Sequence, residues 1–123
     1  MKIEILGKVS AQEVKTYKNF AQAIFRKFGG RLKLRTKLIN IIFVDDQYIK
    51  KLNKRYLGRN RPTDVLAFPI NEDIWAEIYI SKDRARIQAQ ELNISTKQEI
   101  CNLIRHGILH LLGFSHQEME NKT

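Results

Sequence analysis

"INIIFVDD", residues 39–46, is the stretch whose reading decides the fold. From Arg31 the polar and apolar residues alternate with a period of two, and from Ile39 to Val44 the run becomes almost wholly apolar. A strand covered on both faces has no polar side to show, so this pattern predicts a strand entering the middle of a sheet. Asp45 and Asp46 break it and open a helix through about Tyr56, with Ile49, Leu52 and Tyr56 expected inward.

Working outward, "IEIL" near the start reads as a short strand. The segment from Ser10 to Gly30 reads as an amphipathic helix. Val14, Tyr17, Phe20, Ala21, Ile24, Phe25 and Phe28 keep to one face, Ser10 can cap the start, and Gly29-Gly30 stops it. Downstream, a polar loop "LGRNRPTD" leads to the strand "VLAFP", closed by Pro69. "WAEIYIS" is a further strand, with Glu77 among apolar neighbours. Ser81 opens a helix through about Leu92. Ser95 with Gln98, or Thr96 with Glu99, has capping-box spacing for the last helix. That helix carries Ile100, Leu103, Ile104, Ile108, Leu109, Leu111 and Leu112, so it must be central. The expectation is one α+β domain over residues 1–123, with several helices and a mixed sheet of about four strands.

At 123 residues the chain has room for one core. No apolar run approaches a membrane helix, and Glu4 and Lys8 interrupt any signal-peptide core. The single cysteine, Cys101, fits a reducing cytosol and reads as a buried structural thiol. A cytoplasmic protein is expected. Lys and Arg number 22 against 13 Asp and Glu, a net charge of +9. Such an excess points to a polyanionic partner, with a solubility surface as the plainer reading. "KKLNKRYLGRNRPT", residues 50–63, concentrates it: six cations and no acid.

All three histidines fall in "RHGILHLLGFSH", residues 105–116. On a helix His106 and His110 lie about 40° apart around the axis and roughly 6 Å along it, so both face one ion. Gly113 suits a left-handed helix end, after which the chain can return His116 toward the other two. Three imidazoles with an open fourth position make the usual ligand set of a catalytic zinc site, and no fourth ligand for a structural site is evident. The plainer reading, satisfied core histidines or a cap, is weakened by the third histidine and the intervening glycine. The spacing also matches the protease pattern HExxHxxGxxH. However, Gly107 stands where that chemistry needs its glutamate base, so peptide hydrolysis is not expected.

"HGILHLLGFSH" closely resembles the HGxLHLxGYDH signature of the YbeY-type endoribonucleases. Residues 39–69 resemble that family's strand, helix and "GKDKPTDVLSFP" loop, and "AEIYIS" resembles its GDIxIS strand. The resemblance implies a zinc ion on His106, His110 and His116, carried by a zincin-like helix. It also implies single-strand-preferring endoribonuclease activity in 16S rRNA maturation and ribosome quality control. Its partners would be single-stranded or ribosomal RNA and the small ribosomal subunit. Three positions depart from the pattern. Ser115 replaces an aspartate, Leu57 an arginine associated with activity, and Ala67 a serine.

For catalysis, Arg59 and Arg61 are the expected cations to neutralise charge on a phosphorane, beside the Lewis-acid chemistry that zinc brings. Ser115 is the residue next to the last ligand whose role is open. Glu77 and Asp64 read as structural, a strand-end hydrogen bond and a turn cap. Two other classes fit part of the pattern: a metal-dependent hydrolase of another substrate, and a zinc-stabilised ribosome-binding factor with little catalytic activity.

Overall fold

The 39–44 run lies in strand β2 (Leu38–Val44), an interior strand of a four-stranded sheet ordered β1-β2-β4-β3. This computed structural model describes residues 1–29 and 37–115. Around β2 the elements are β1 (Lys2–Gly7), α1 (Ala11–Phe28), α2 (Asp46–Leu57), β3 (Val65–Pro69), β4 (Ile74–Ser81), α3 (Lys82–Leu92) and α4 (Thr96–Leu111). β1, β2 and β4 are parallel, and β3 runs antiparallel to β4 at the edge. The α+β class and the mixed four-stranded sheet are as expected. The alternating residues 31–36 lie outside the described residues.

Register makes one face of the sheet almost pure hydrocarbon. Ile5, Ile41, Ile78 and Ala67 stand side by side across it, with Phe43, Ile80 and Val65 in the next row. Ile3, Ile39, Ile41, Ile78 and Ile80 are wholly buried. Each fully buried isoleucine is worth roughly 1.5–3 kcal/mol relative to exposure. α1 and α4 cover this face through Tyr17, Ala21, Ile24, Phe25, Ile100, Leu103, Ile104 and Ile108. The centrality expected of α4 follows from this placement.

Local signals set where the helices begin. Ser10 and Glu13 form a reciprocal capping box on α1, and Ser95 with Gln98 forms another on α4, in preference to Thr96 with Glu99. Asp45 accepts from the Tyr48 N–H at 2.8 Å to start α2. Ser81, fully buried, caps α3 and donates to Asp46 Oδ1 at 2.7 Å, while Arg84 Nε reaches Asp46 Oδ2 at 3.2 Å. These bonds tie the starts of α2 and α3 together.

One expectation is corrected in α2. Ile49 is buried as predicted, but Leu52 is only half-buried and Tyr56 is 56% exposed. The inward place is taken instead by Asn53, four residues after Ile49. Tyr56 lies at the margin, its ring centroid 5.1 Å from that of Phe68 and beneath the Arg55 guanidinium. A phenol and a cation tolerate that half-wet position, so the inward stripe is narrower than apolarity alone predicts.

Candidate functional site

A cleft of about 400 Å³ opens between α4, the edge strand β3 and the connection from α2 to β3. Its α4 wall is His106, Gly107 and His110; its floor is Val65 to Phe68; its rim includes Leu57, Arg59, Thr63 and Asp64. The structure therefore brings together His106, His110 and Arg59, three residues singled out from sequence. Positions 57 and 67, where the family pattern is broken, line the same cleft.

The histidine wall depends on how closely α4 lies on the sheet. A Cβ on Gly107 would come 3.1 and 3.2 Å from two side-chain carbons of Ile78 on β4. Glycine permits this approach without adjustment, whereas a Cβ here would need the buried Ile78 side chain to give by a few tenths of an ångström. The position that a protease would give to glutamate is thus occupied by a packing contact. With Gly107 against the strand, His106 is half-buried and His110 exposed, each lining the cleft from consecutive turns. Gly113 has φ +91°, the left-handed value expected for the turn after α4.

Among the described residues, no third His, Cys, Asp or Glu joins the two imidazoles in a cluster able to hold a metal. His116, the third expected ligand, lies outside the described residues. The chemistry of the part seen, paired imidazoles at i and i+4 facing open space, fits an N-donor metal site. Ser115 is exposed and is not among the cleft-lining residues.

The opposite rim is held by a residue that sequence reading missed. Asn53 is 2% exposed and grips the basic loop twice. Its Nδ2 donates to the Arg61 carbonyl at 2.9 Å, and its backbone carbonyl accepts from the Arg59 N–H at 3.3 Å. Gly58, at φ +69°, supplies the left-handed turn that sends the chain back over the helix end. Arg59 consequently lines the cleft, whereas Arg61 is tied by its carbonyl and its side chain is not part of the lining. The available signal was an amide in the inward stripe, at the i+4 place of Ile49.

Asp64 is the one acid among the described residues lining the cleft. Its Oδ1 accepts from the Val65 N–H at 2.8 Å and from Thr63 Oγ1 at 3.3 Å, and its Oδ2 accepts from Gln88 Nε2 at 3.3 Å. Those bonds fit the expected turn cap. Glu77 is mid-strand rather than at a strand end and lies outside the cleft. It accepts from Tyr79 Oη at 2.9 Å and Asn40 Nδ2 at 3.4 Å on the sheet's other face. Cys101 is half-buried, and burial pushes its thiol pKa up against the smaller opposing pull of Lys97, so it keeps its proton.

Two imidazoles on one helix, facing an arginine across a cleft at the edge of a mixed sheet, define an α+β domain with a histidine-lined, basic-rimmed site. The chain belongs to the Endoribonuclease YbeY family, whose model matches residues 4–123. A protein named Endoribonuclease YbeY from Persephonella marina is 37% identical over 113 residues, covering 86% of this chain and 74% of that one. The protein of that name from Thermotoga neapolitana is 36% identical over 122 residues, covering 98% and 78%. The solution structure of TM1509 from Thermotoga maritima superposes with a TM-score of 0.68 at 34% identity, covering 98% of this chain and 83% of that one. Among the described residues, no helix is long and apolar enough to cross a membrane.

Proposed function

We propose that this chain is a zinc-dependent, single-strand-preferring endoribonuclease. In this reading it acts in the cytoplasm on 16S rRNA, in contact with the small ribosomal subunit. The observation that carries the reading is the shared cleft: His106 and His110 on one wall and Arg59 on the rim, in a chain of the Endoribonuclease YbeY family. His106, His110 and His116 would hold the zinc ion, which supplies Lewis-acid polarisation of an oxygen ligand. The α4 helix contributes a fixed i, i+4 spacing of its imidazoles, and Gly107 lets that helix lie close on β4. Arg59, positioned by Asn53, offers guanidinium donors to a phosphate and stabilises the negative charge that grows during displacement. Asp64 and Thr63 hold the start of β3 and so keep the floor in place.

A second reading, a zinc-stabilised RNA-binding factor with little activity, is favoured by Leu57. This apolar side chain is 49% exposed and lines the cleft where the family pattern has an arginine. One experiment separates the two: cleavage of a defined single-stranded RNA by nuclease-free protein, with zinc content measured on the same samples. The wild type is expected to carry one zinc and to cut. His110→Ala should lose both, by more than the 10–100-fold typical of outer-shell losses. Ser115→Asp should keep zinc and cut faster if a carboxylate beside the last ligand assists. Zinc-loaded wild type and Ser115→Asp proteins that both cut no faster than His110→Ala would leave only the binding factor.

A further inference from the structure

Beyond the cleft, the face of the sheet opposite the isoleucine core carries a row of rings that the site chemistry does not use. Tyr48 on α2 meets Tyr79 on β4 at 6.3 Å between centroids. Tyr79 meets Phe68 on β3 at 6.3 Å, and Phe68 meets Tyr56 on α2 at 5.1 Å. The row ends on the Arg55 guanidinium, 5.5 Å from the Tyr56 ring. Tyr48 and Tyr56 are 48% and 56% exposed. Rings placed only to cover a sheet would be drawn under cover, since each half-wet ring forgoes much of its burial energy. The contacts are tilted or edge-on, at 34°, 62° and 50°, so neighbours do not cover one another's faces.

We propose that Tyr48, Tyr79, Phe68 and Tyr56 form a stacking platform that guides single-stranded RNA into the cleft, with Lys51 and Arg55 holding its phosphates. Two observations commit the row to this occupant. The first is continuity: Phe68 belongs to the row and also lines the cleft. The second is charge. Helical spacing puts Lys51 and Arg55 on the solvent side of the flank formed by Tyr48, Leu52 and Tyr56, and both cations are exposed. Stacking suits a strand of any sequence, because every base has a π-face. Glu77 sorts the strand's two sides. Its carboxylate lies within the sheet beside Tyr79, whose hydroxyl it fixes at 2.9 Å, and it repels phosphate from that line. It is instead an acceptor for base amino groups. Bases thus face the sheet and phosphates face α2. A duplex, whose bases are already stacked, gains nothing from the row.

This rests on the endoribonuclease reading for its substrate, but its test needs no cleavage. The probe is a fluorescently labelled twelve-nucleotide single-stranded RNA, titrated by anisotropy against His110→Ala protein, with the matching duplex as control. Adding Tyr48→Ala and Tyr56→Ala together should weaken single-strand binding by about ten-fold or more, leave duplex binding unchanged and keep the salt slope. Tyr56→Phe should bind like its parent. Lys51→Ala with Arg55→Ala should lower the salt slope by about 0.7 for each lost phosphate contact. Should the alanine variants fail to fold by thermal melt, photo-crosslinking of the same RNA carrying 4-thiouridine to the unmodified platform decides instead. Crosslinks in the peptides holding Tyr48, Tyr56 or Phe68 support the proposal. Equal binding by the folded double variant, or crosslinks wholly elsewhere, overturns it. RNA cleavage by wild type with tyrosine-independent binding sinks the platform alone. Tyrosine-dependent binding without cleavage sinks the nuclease reading alone.

Discussion

Along β2 and β4, neighbouring residues lead to opposite fates. Ile39, Ile41, Ile78 and Ile80 point under α1 and α4 and are wholly buried, while Asn40, Glu77 and Tyr79 point the other way into a polar, half-wet layer that meets α2 through Tyr48. The first face contains no hydrogen-bonding side chain in its central rows, so it gains stability with little demand for precise partners. The second couples amide to carboxylate to phenol. Its two buried amides are held by specific partners, Asn40 Nδ2 donating to Glu77 and Asn53 Nδ2 to the Arg61 carbonyl. The isoleucine face thus secures the fold by burial alone, whereas the other side depends on hydrogen bonds between particular residues.

The largest effect that would break this contrast lies at Ile78, fully buried at the centre of the sheet and in contact with α4 beside Gly107. Ile78→Ala should lower unfolding free energy by about 2–5 kcal/mol in urea titration. Tyr48→Ala, on the opposite face, should change it little while weakening RNA. Equal stability losses from the two would show that the second face is core after all.

A smaller effect is expected at Asn53. Asn53→Ala removes the bond to the Arg61 carbonyl, and water can satisfy that exposed loop, so the stability loss should stay near 1 kcal/mol. The backbone bond from the Arg59 N–H to residue 53 survives this change, but the loop loses its side-chain anchor at Arg61, so Arg59 is held on the rim by one bond instead of two. RNA cleavage should therefore fall about ten-fold or more while zinc content is unchanged. Wild-type cleavage by Asn53→Ala would mean that the loop is positioned by other contacts.

The isoleucine face was legible because its signal is local and repeated. Period-two and period-four spacing of apolar residues gives each element its inward side, and serine or aspartate marks each helix start. Ser10, Asp45, Ser81 and Ser95 cap as their positions suggest. His106 and His110 were legible for the same reason, since four-residue spacing on one helix fixes their common face. What escaped depends on contacts across long separations. Asn53 looked like one polar residue in a cationic run, and its value appears only when the chain after Gly58 folds back over it. Tyr56 looked inward because apolarity does not distinguish a covered ring from one at a margin. The aromatic row joins residues of α2, β3 and β4, and no periodicity in one segment announces it.

The smallest effect concerns how the apolar side treats charge, which it relegates to the rim. Glu13 opens α1 and Lys82 opens α3, and they pair at 3.0 Å with about a third of each side chain exposed. The Ser10 N–H, donating to the Glu13 carboxylate at 3.1 Å, is the main cause that holds its pKa below the ordinary 4.5; Lys82 adds to this and partial burial opposes it. A depressed folded pKa means that the unfolded chain takes up the proton first. The stability from Glu13 is therefore fully present above about pH 4.5 and is lost as pH falls through the lower folded value. Because the pair is partly exposed, its contribution is at most about 1 kcal/mol. Glu13→Gln keeps the capping geometry, since glutamine can also reach back to Ser10, but removes the charge. Lys82 retains its bond to the Lys8 carbonyl at 2.8 Å and its place 5.7 Å from the Phe43 ring, so the helices should stay joined. Urea midpoints of wild type and Glu13→Gln should thus differ slightly at pH 7 and converge as pH falls below the folded pKa. A gap that persists unchanged into acid would mean that the carboxylate's shape, not its charge, matters at this rim.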